Sequence, residues 1–172
     1  MDRVRLTEPQ LLAYSGEHVA YEIQMFFCSY QFVVSAIDWD LPAPASLPND
    51  LRGWTVRMAL LEALVVHARV LINFLYPQSI RADDIIAEDF FDDPRQWEKI
   101  RPRLPDRLEG IRKRADKEVA HLTARRIAGT PPEKYHRAED FAELWEVVRL
   151  FATHALPSRV HQNVMDLGRR SI

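Results

Sequence analysis

An uninterrupted repeat of apolar residues in the middle of the chain limits the fold more than any other feature. From residue 51 to residue 75 the spacing alternates between three and four, which places all members on one side of an α-helix. The repeat consists of Leu51, Trp54, Met58, Leu61, Val65, Ala68, Ile72 and Leu75. Further apolar residues widen this stripe, so the helix is expected to contact neighbours on more than one side. They are Leu60, Leu64, Leu71 and Phe74. The pattern predicts a central helix over residues 51–76, ended by Pro77.

The N-terminal region has a similar repeat, which predicts a long helix with Thr7 as its cap and Pro9 close to its first turn. The residues expected on its buried face are Leu11, Tyr14, His18, Tyr21, Met25, Cys28 and Phe32. A proline-rich stretch then separates this helix from the central one.

Four more helices are predicted after the central one. A short helix begins at Asp93 and Pro94, which are a cap and a first-turn proline. The next covers residues 106–127, with Leu108, Ile111, Ala115, Val119 and Leu122 on its buried face. Another buries Phe141, Leu144, Trp145, Val148, Phe151 and Ala155. A last, peripheral helix is predicted over residues 158–168, running from Ser158 to Leu167 with Gly168 just beyond its last turn. No segment alternates as a strand does, so the fold class is predicted to be all-α: one domain over residues 1–172, a helical bundle of five or six helices.

Composition favours an ordinary globular protein, since 47% of the 172 residues are apolar and 28% are charged. The start of the chain does not resemble a secretory signal, and no apolar run approaches the roughly 20 residues that span a bilayer. We therefore expect a soluble, cytoplasmic protein with no membrane partner. The single cysteine, Cys28, has no partner for an intrachain disulfide and is expected to be buried as a small apolar residue.

Charge is distributed unevenly along the chain. Residues 82–93, the acidic segment, contain six acids and no lysine or arginine. Residues 95–126, the basic segment, contain eleven basic and five acidic side chains. The asymmetry is typical of a surface for a polyanion, or of an acidic loop that neutralises a basic helix inside the protein, and both interpretations stay open. The acids occur mostly as adjacent pairs, whose side chains diverge on a helix, so no metal site is predicted.

The central helix also carries polar side chains. Glu62, Arg69 and Asn73 lie along one narrow face, and His67 stands among leucines. A carboxylate and a guanidinium in a mostly apolar helix need partners. The favoured interpretation is that His67 is a hydrogen-bonded core histidine and that Glu62 and Arg69 make contacts between helices.

Arg114 and His121 share a helix face, because seven residues bring a side chain back to within roughly 20° of its starting direction. A guanidinium can stabilise a phosphate, and an imidazole can exchange a proton near neutral pH. The same face also fits a solvated surface joined by an ion pair between Arg114 and Glu118. Spacing by itself favours this second interpretation.

The sequence "RADKEVAHLT" (residues 114–123) resembles the arginine, helical spacer and histidine of the HEPN superfamily. In the order in which they occur, the segments "EALVVHARVLINFLY", "RADDIIAEDFF" and this motif are also similar to a group of uncharacterised small bacterial all-helical proteins. That group has an "HAR-x-L-x-x-F" helix and an "R-x-[ND]-K-x-x-AHLT" segment. The resemblance covers residues from about 54 to 126.

The resemblance implies a ribonuclease that needs no metal or other cofactor, or a non-catalytic relative, with two subunits forming a shared cleft. Arg114 would bind the scissile phosphate, and His121 would act as general acid or base for attack by the ribose 2′-hydroxyl. The polar residue that follows the arginine in the superfamily is replaced by alanine, and Asp116 is the nearest substitute. Lys117 and Glu118, together with Glu62 and Arg69, are the other residues expected to support the site.

Two functions therefore stay open for the chain. The first is an HEPN-like protein that acts on RNA as a homodimer. The second is a non-enzymatic helical protein that uses its faces for dimerisation or for binding a protein partner.

Overall fold

The computed structural model describes residues 3–35, 49–115 and 138–171. All regular secondary structure in these ranges is helical, with six helices and no strand when the N-terminal rod is counted once, so the all-α prediction is confirmed. The elements are α1 (Glu8–Tyr14), a π-helical turn (Ser15–Val19), α2 (Ala20–Val34), α3 (Asn49–Leu75), a 3-10 turn (Ala87–Phe90), α4 (Pro94–Ile100), α5 (Asp106–Arg114), α6 (Ala138–His154) and α7 (Gln162–Gly168).

The first helix, the π-helical turn and the second helix form one continuous N-terminal rod. Its buried face consists of Leu11, Ser15, Val19, Ile23, Phe26 and Tyr30. Apart from Leu11, the face predicted from the sequence is wrong, because His18, Tyr21 and Phe32 are exposed and the remaining members, including Cys28, are half-buried. Two helical repeats overlap in this region, displaced by about one residue. The repeat that is buried contains the polar residue Ser15, so it is harder to recognise in the sequence.

Helix α3 lies at the centre of the described fold, as predicted, and contacts α2, α5, α6 and the 3-10 turn. Its buried residues are Leu64, Val65, Ala68, Leu71, Ile72 and Leu75. The N-terminal part of the predicted stripe differs, since Trp54 is 60% exposed. By length and composition, Gly53–Leu75 is long and apolar enough to cross a bilayer. This corrects the statement from the sequence that no apolar run approaches that length. The core helix of a soluble protein meets the same criteria.

Helix α4 has only seven residues, but an aromatic anchor fixes it to the core. The fully buried Trp97 stacks on Phe91 at 5.7 Å and meets the ring of Phe151 edge-on at 5.9 Å. Its indole Nε1 donates a hydrogen bond to the Leu75 carbonyl at 2.9 Å, at the end of α3. As predicted, the helix is capped by Asp93, whose carboxylate accepts a hydrogen bond from a backbone N–H in the first turn.

Two acids of the acidic segment pair with arginines from near the two ends of the chain. Arg3 pairs with the carboxylate of Asp89 and donates a hydrogen bond to the Asp84 carbonyl at 3.1 Å. Arg159 pairs with Asp92 at 3.3 Å. Neither pair joins the acidic segment to the basic segment, so both alternatives for the charge asymmetry stay open.

The last helix begins later than predicted. Residues 157–160 form a turn, and α7 starts after His161, whose Nδ1 accepts a hydrogen bond from the Asn163 N–H at 3.2 Å. Gly168 is the final helical residue and lies against α6, where an added Cβ would be only 2.5 Å from that of Ala152. This glycine permits close helix packing, so its predicted role as a residue beyond the helix is wrong.

Candidate functional site

A cleft of about 810 Å³ opens between the N-terminal rod, the C-terminal half of α3, the loop that follows it and the end of α5. We call it the α3 cleft. The polar and charged side chains in its lining are Tyr14, His18, Glu22, Arg69, Asn73, Gln78, Ser79, Arg81, Asp83, Asp84, Glu109, Arg112 and Lys113. This volume is in the range that accommodates small-molecule ligands.

The π-helical turn forms one wall of the cleft. Ser15 is fully buried, and its Oγ donates a hydrogen bond to the Leu12 carbonyl at 2.8 Å and accepts one from the His161 N–H at 2.8 Å. At Gly16 an added Cβ would lie 2.9 Å from the His161 ring, so only glycine permits this close approach without a shift. The segment before α7 therefore holds the π-helical turn in place.

This turn brings two aromatic side chains together at the cleft. The rings of Tyr14 and His18 lie 4.7 Å apart, at an angle of 50°. Burial, followed by the negative charges of Glu22 and Asp84, raises the pKa of Tyr14, so its hydroxyl keeps its proton at neutral pH. Both rings line the cleft because the rod buries the neighbouring face.

A polar contact joins α2 to α3 beside the cleft. His67 Nδ1 lies 2.7 Å from a carboxylate oxygen of Glu22, and the His67 side chain is 13% exposed. The ring of Tyr21 meets the His67 ring edge-on at 5.7 Å. The interpretation of His67 as a largely buried, hydrogen-bonded residue is therefore confirmed, and its partner, the carboxylate of Glu22, lines the cleft.

Helix α5 contributes a buried cation to the cleft. Arg112 is only 4% exposed; it donates a hydrogen bond to the Tyr76 carbonyl at 3.3 Å and pairs with the Glu109 carboxylate. Lys113 Nζ lies 3.2 Å from the same carboxylate. Desolvation by itself would raise the pKa of Glu109, but the hydrogen bond from Lys113 and the charge of Arg112 lower it overall.

The loop after α3 contributes another part of the cleft lining. The Asp84 carboxylate accepts a hydrogen bond from the backbone N–H of Arg81 at 2.7 Å, which forms a tight turn. Asp84 therefore closes a turn. Arg81 belongs to this turn; it is exposed and lines the cleft.

The structure describes only some of the site residues that were predicted from the sequence. Arg114 is the last residue of α5, but its side chain lies outside the described residues, as do Asp116, Lys117, Glu118 and His121.

The two expected site residues on α3 are separated by the fold. Arg69 lines the α3 cleft together with Asn73. Glu62 is exposed, lies outside the cleft and makes no hydrogen bond or ion pair within the described ranges. The expected contact between Glu62 and another helix is not observed among the described residues.

Sequence reasoning missed the aromatic pair and Arg81 as candidate site residues. Tyr14 and His18 are four residues apart, and this spacing makes two side chains neighbours on a helix. The pair was missed because both residues had been assigned to the buried face. Within the described residues, no group of three or more histidine, cysteine, aspartate or glutamate side chains is arranged to hold a metal ion.

Comparison of the chain with protein-family models, with curated proteins and with solved structures found no match. The resemblance to the HEPN superfamily stays a prediction.

Proposed function

We propose that this chain is an HEPN-like helical protein that acts on RNA, with Arg114 and His121 as its catalytic pair. The supporting observation is the position of α5. This helix ends at Arg114, and the two residues before Arg114 line the α3 cleft. The motif therefore begins at the edge of a cleft large enough for part of a nucleic acid chain.

In the proposed reaction, the ribose 2′-hydroxyl attacks the adjacent phosphorus. A cyclic phosphate forms as the bond to the 5′-oxygen of the next nucleotide breaks. His121 exchanges the proton that leaves the 2′-hydroxyl or the one that the leaving oxygen gains. Arg114 stabilises the negative charge that develops on the phosphate. No metal ion takes part in this scheme.

Incubation of a generic single-stranded RNA with the protein in excess chelator tests the proposal. We expect cleavage products that end in a cyclic phosphate, whereas DNA of the same sequence should resist because it lacks the 2′-hydroxyl. His121→Ala and Arg114→Ala should each reduce the rate by about 10²–10⁴-fold.

Melting temperature separates a catalytic role from a structural one. If the pair is catalytic, the Arg114 and His121 variants should keep a melting temperature close to that of the wild type. Substitutions of solvent-facing residues usually change the free energy of unfolding by no more than about 0.5 kcal/mol. Large losses of stability in both variants, with no RNA cleavage by the wild type, would refute the proposal.

A second candidate function is dimerisation or binding of a protein partner without catalysis. It is favoured by exposed apolar side chains on α2 and α3: Tyr21 is 53% exposed, Trp54 60%, and both Val66 and Val70 40%. Val66 and Val70 are one helical turn apart and share a face. Large exposed apolar side chains of this kind mark interaction surfaces when they form a contiguous patch.

Sedimentation equilibrium at tens of micromolar tests this surface, and we expect a dimer mass. Val66→Glu should convert the dimer to a monomer, because it places a charge on the apolar face. Ile80→Glu is the matched control, since Ile80 is 48% exposed but lies in the loop after α3. A monomeric wild type would refute the homodimer and the shared-cleft mechanism.

A further inference from the structure

Most acidic side chains in the α3 cleft are already engaged by the protein. Glu22 contacts His67, Asp84 accepts a hydrogen bond from the Arg81 N–H, and Glu109 is held by two cations of α5. Asp83 is the exception: it is exposed and has no hydrogen bond or ion pair within the described residues. A ligand would therefore meet few free carboxylates.

Several other polar groups in the cleft have no hydrogen-bond partner among the described residues. They are the Tyr14 hydroxyl, the ring nitrogens of His18, the side-chain amides of Asn73 and Gln78, and the guanidinium of Arg81. The amides can donate and accept hydrogen bonds, whereas the guanidinium only donates. This set suits a ligand that has both donors and acceptors and also carries a negative charge.

The charge of the lining argues against a simple polyanion. Four basic and four acidic side chains line the cleft: Arg69, Arg81, Arg112 and Lys113, and Glu22, Asp83, Asp84 and Glu109. Because these charges balance, phosphate alone would gain little net attraction. A ligand needs additional contacts to be held here.

The aromatic pair offers such a contact. His18 is exposed, and its ring lies against that of Tyr14 on the π-helical turn. Turns of this type interrupt α-helices often at functional sites. Exposed aromatic rings are the surface on which the unpaired bases of single-stranded RNA stack.

We propose that the α3 cleft binds one unpaired nucleotide of single-stranded RNA, with its base against Tyr14 and His18, its base edge at the amides of Asn73 and Gln78, and its phosphate at Arg81. This inference rests on the proposed function and deepens it by naming the substrate class. A base within a duplex is stacked and paired, so it does not enter the cleft.

Binding is measured separately from cleavage. The probe is a fluorescein-labelled eight-nucleotide RNA with 2′-O-methyl groups, which cannot undergo attack by the 2′-hydroxyl, and fluorescence anisotropy is recorded in excess chelator. We expect the single strand to bind and the same sequence in a duplex to bind at least about tenfold more weakly, since the base must be free to stack.

Variants identify the residues responsible. Tyr14→Leu and His18→Ala should each weaken binding by roughly 5- to 150-fold, the range expected for one lost stacking contact. His154→Ala, at an exposed histidine at the end of α6, is the matched control and should bind as the wild type does. Because Tyr14 is half-buried, His18→Ala keeps the test valid if Tyr14→Leu unfolds the protein.

A second pair of variants tests the phosphate contact. Arg81→Gln should weaken binding and reduce its dependence on salt, whereas Arg103→Gln, at an exposed arginine outside the cleft, should do neither. Equal affinity for single strand and duplex, or unchanged affinity in His18→Ala and Arg81→Gln, would overturn the assignment of the cleft.

The two proposals fail in different ways. Cleavage by the wild type together with wild-type affinity in the cleft variants would overturn the cleft and leave the catalytic pair standing. Binding that depends on His18, with no cleavage of unmodified RNA, would support the cleft and overturn the ribonuclease.

Discussion

Replacement of Ser15 by alanine tests how the π-helical turn is held against the rest of the protein. The Ser15 hydroxyl is fully buried, donates to the Leu12 carbonyl and accepts from the His161 N–H, both at 2.8 Å. Alanine keeps the backbone and the Cβ but removes the oxygen. The His161 N–H then loses its acceptor, which lies on a fully buried residue.

The cost follows from these contacts. A buried donor without a partner destabilises a protein by about 1–3 kcal/mol. In a chain of this size, about 1 kcal/mol corresponds to roughly 2–4 °C in melting temperature. We therefore expect Ser15→Ala to melt about 4–8 °C below the wild type, for a central value of about 2 kcal/mol.

Ser35→Ala is the matched control. The Ser35 hydroxyl also donates to a helix carbonyl, that of Gln31 at 2.6 Å, but Ser35 is exposed and water can replace the bond. Its effect should stay within about 0.5 kcal/mol. Thermal melting followed by circular dichroism, and urea unfolding followed by tryptophan fluorescence, measure both variants. Equal losses in the two variants would refute the argument that the buried contact to His161 holds the turn.

Three further changes test other parts of the fold. His67→Ala should cost about 1–3 kcal/mol, because it removes the hydrogen bond to the carboxylate of Glu22, and an unchanged melting temperature would contradict this role. Gly168→Ala should destabilise the protein by about 1–3 kcal/mol through overlap with Ala152, and Ala152→Gly in the same chain should recover part of that loss in a double-mutant cycle. Burial is the main cause that raises the pKa of Glu88 in the folded protein. Protonated Glu88 therefore stabilises the fold at pH values below its unfolded pKa, and this contribution is lost as the pH rises through the folded pKa. Glu88→Gln should therefore raise the melting temperature at pH 7 and not below about pH 4, and an equal effect at both pH values would show that the carboxylate charge is not responsible.

Local sequence signals located most of the helices. Pro77 lies two residues after the end of α3, and Asp93 with Pro94 marks the start of α4, because proline geometry and side-chain capping act over a few residues. The buried face of α6 was also predicted correctly, since Phe141 and Phe151 belong to a single repeat with no competing face.

The candidate cleft could not be predicted in the same way. It is made by the N-terminal rod, α3, the loop after α3 and α5, and Arg81 lines it from a turn closed by Asp84. Of the residues singled out from the sequence, Arg69 and Asn73 line it, because they share a narrow face of α3. Glu62 belongs to that face as well, but it lies about two turns before Arg69 and outside the cleft.

Helical secondary structure, the positions of most helix ends and the central place of α3 were predicted from the sequence, because these properties depend on local spacing, capping and proline. The buried face of the N-terminal rod, in contrast, depends on long-range contacts. Two repeats with similar spacing compete there, and contacts with Ser15 and Gly16 from His161, far along the chain, select the one that leaves Tyr14 and His18 at the cleft. Long-range partners of this kind, like Arg3 and Arg159 on the acidic segment, have no local signature, since folding alone brings them within contact distance.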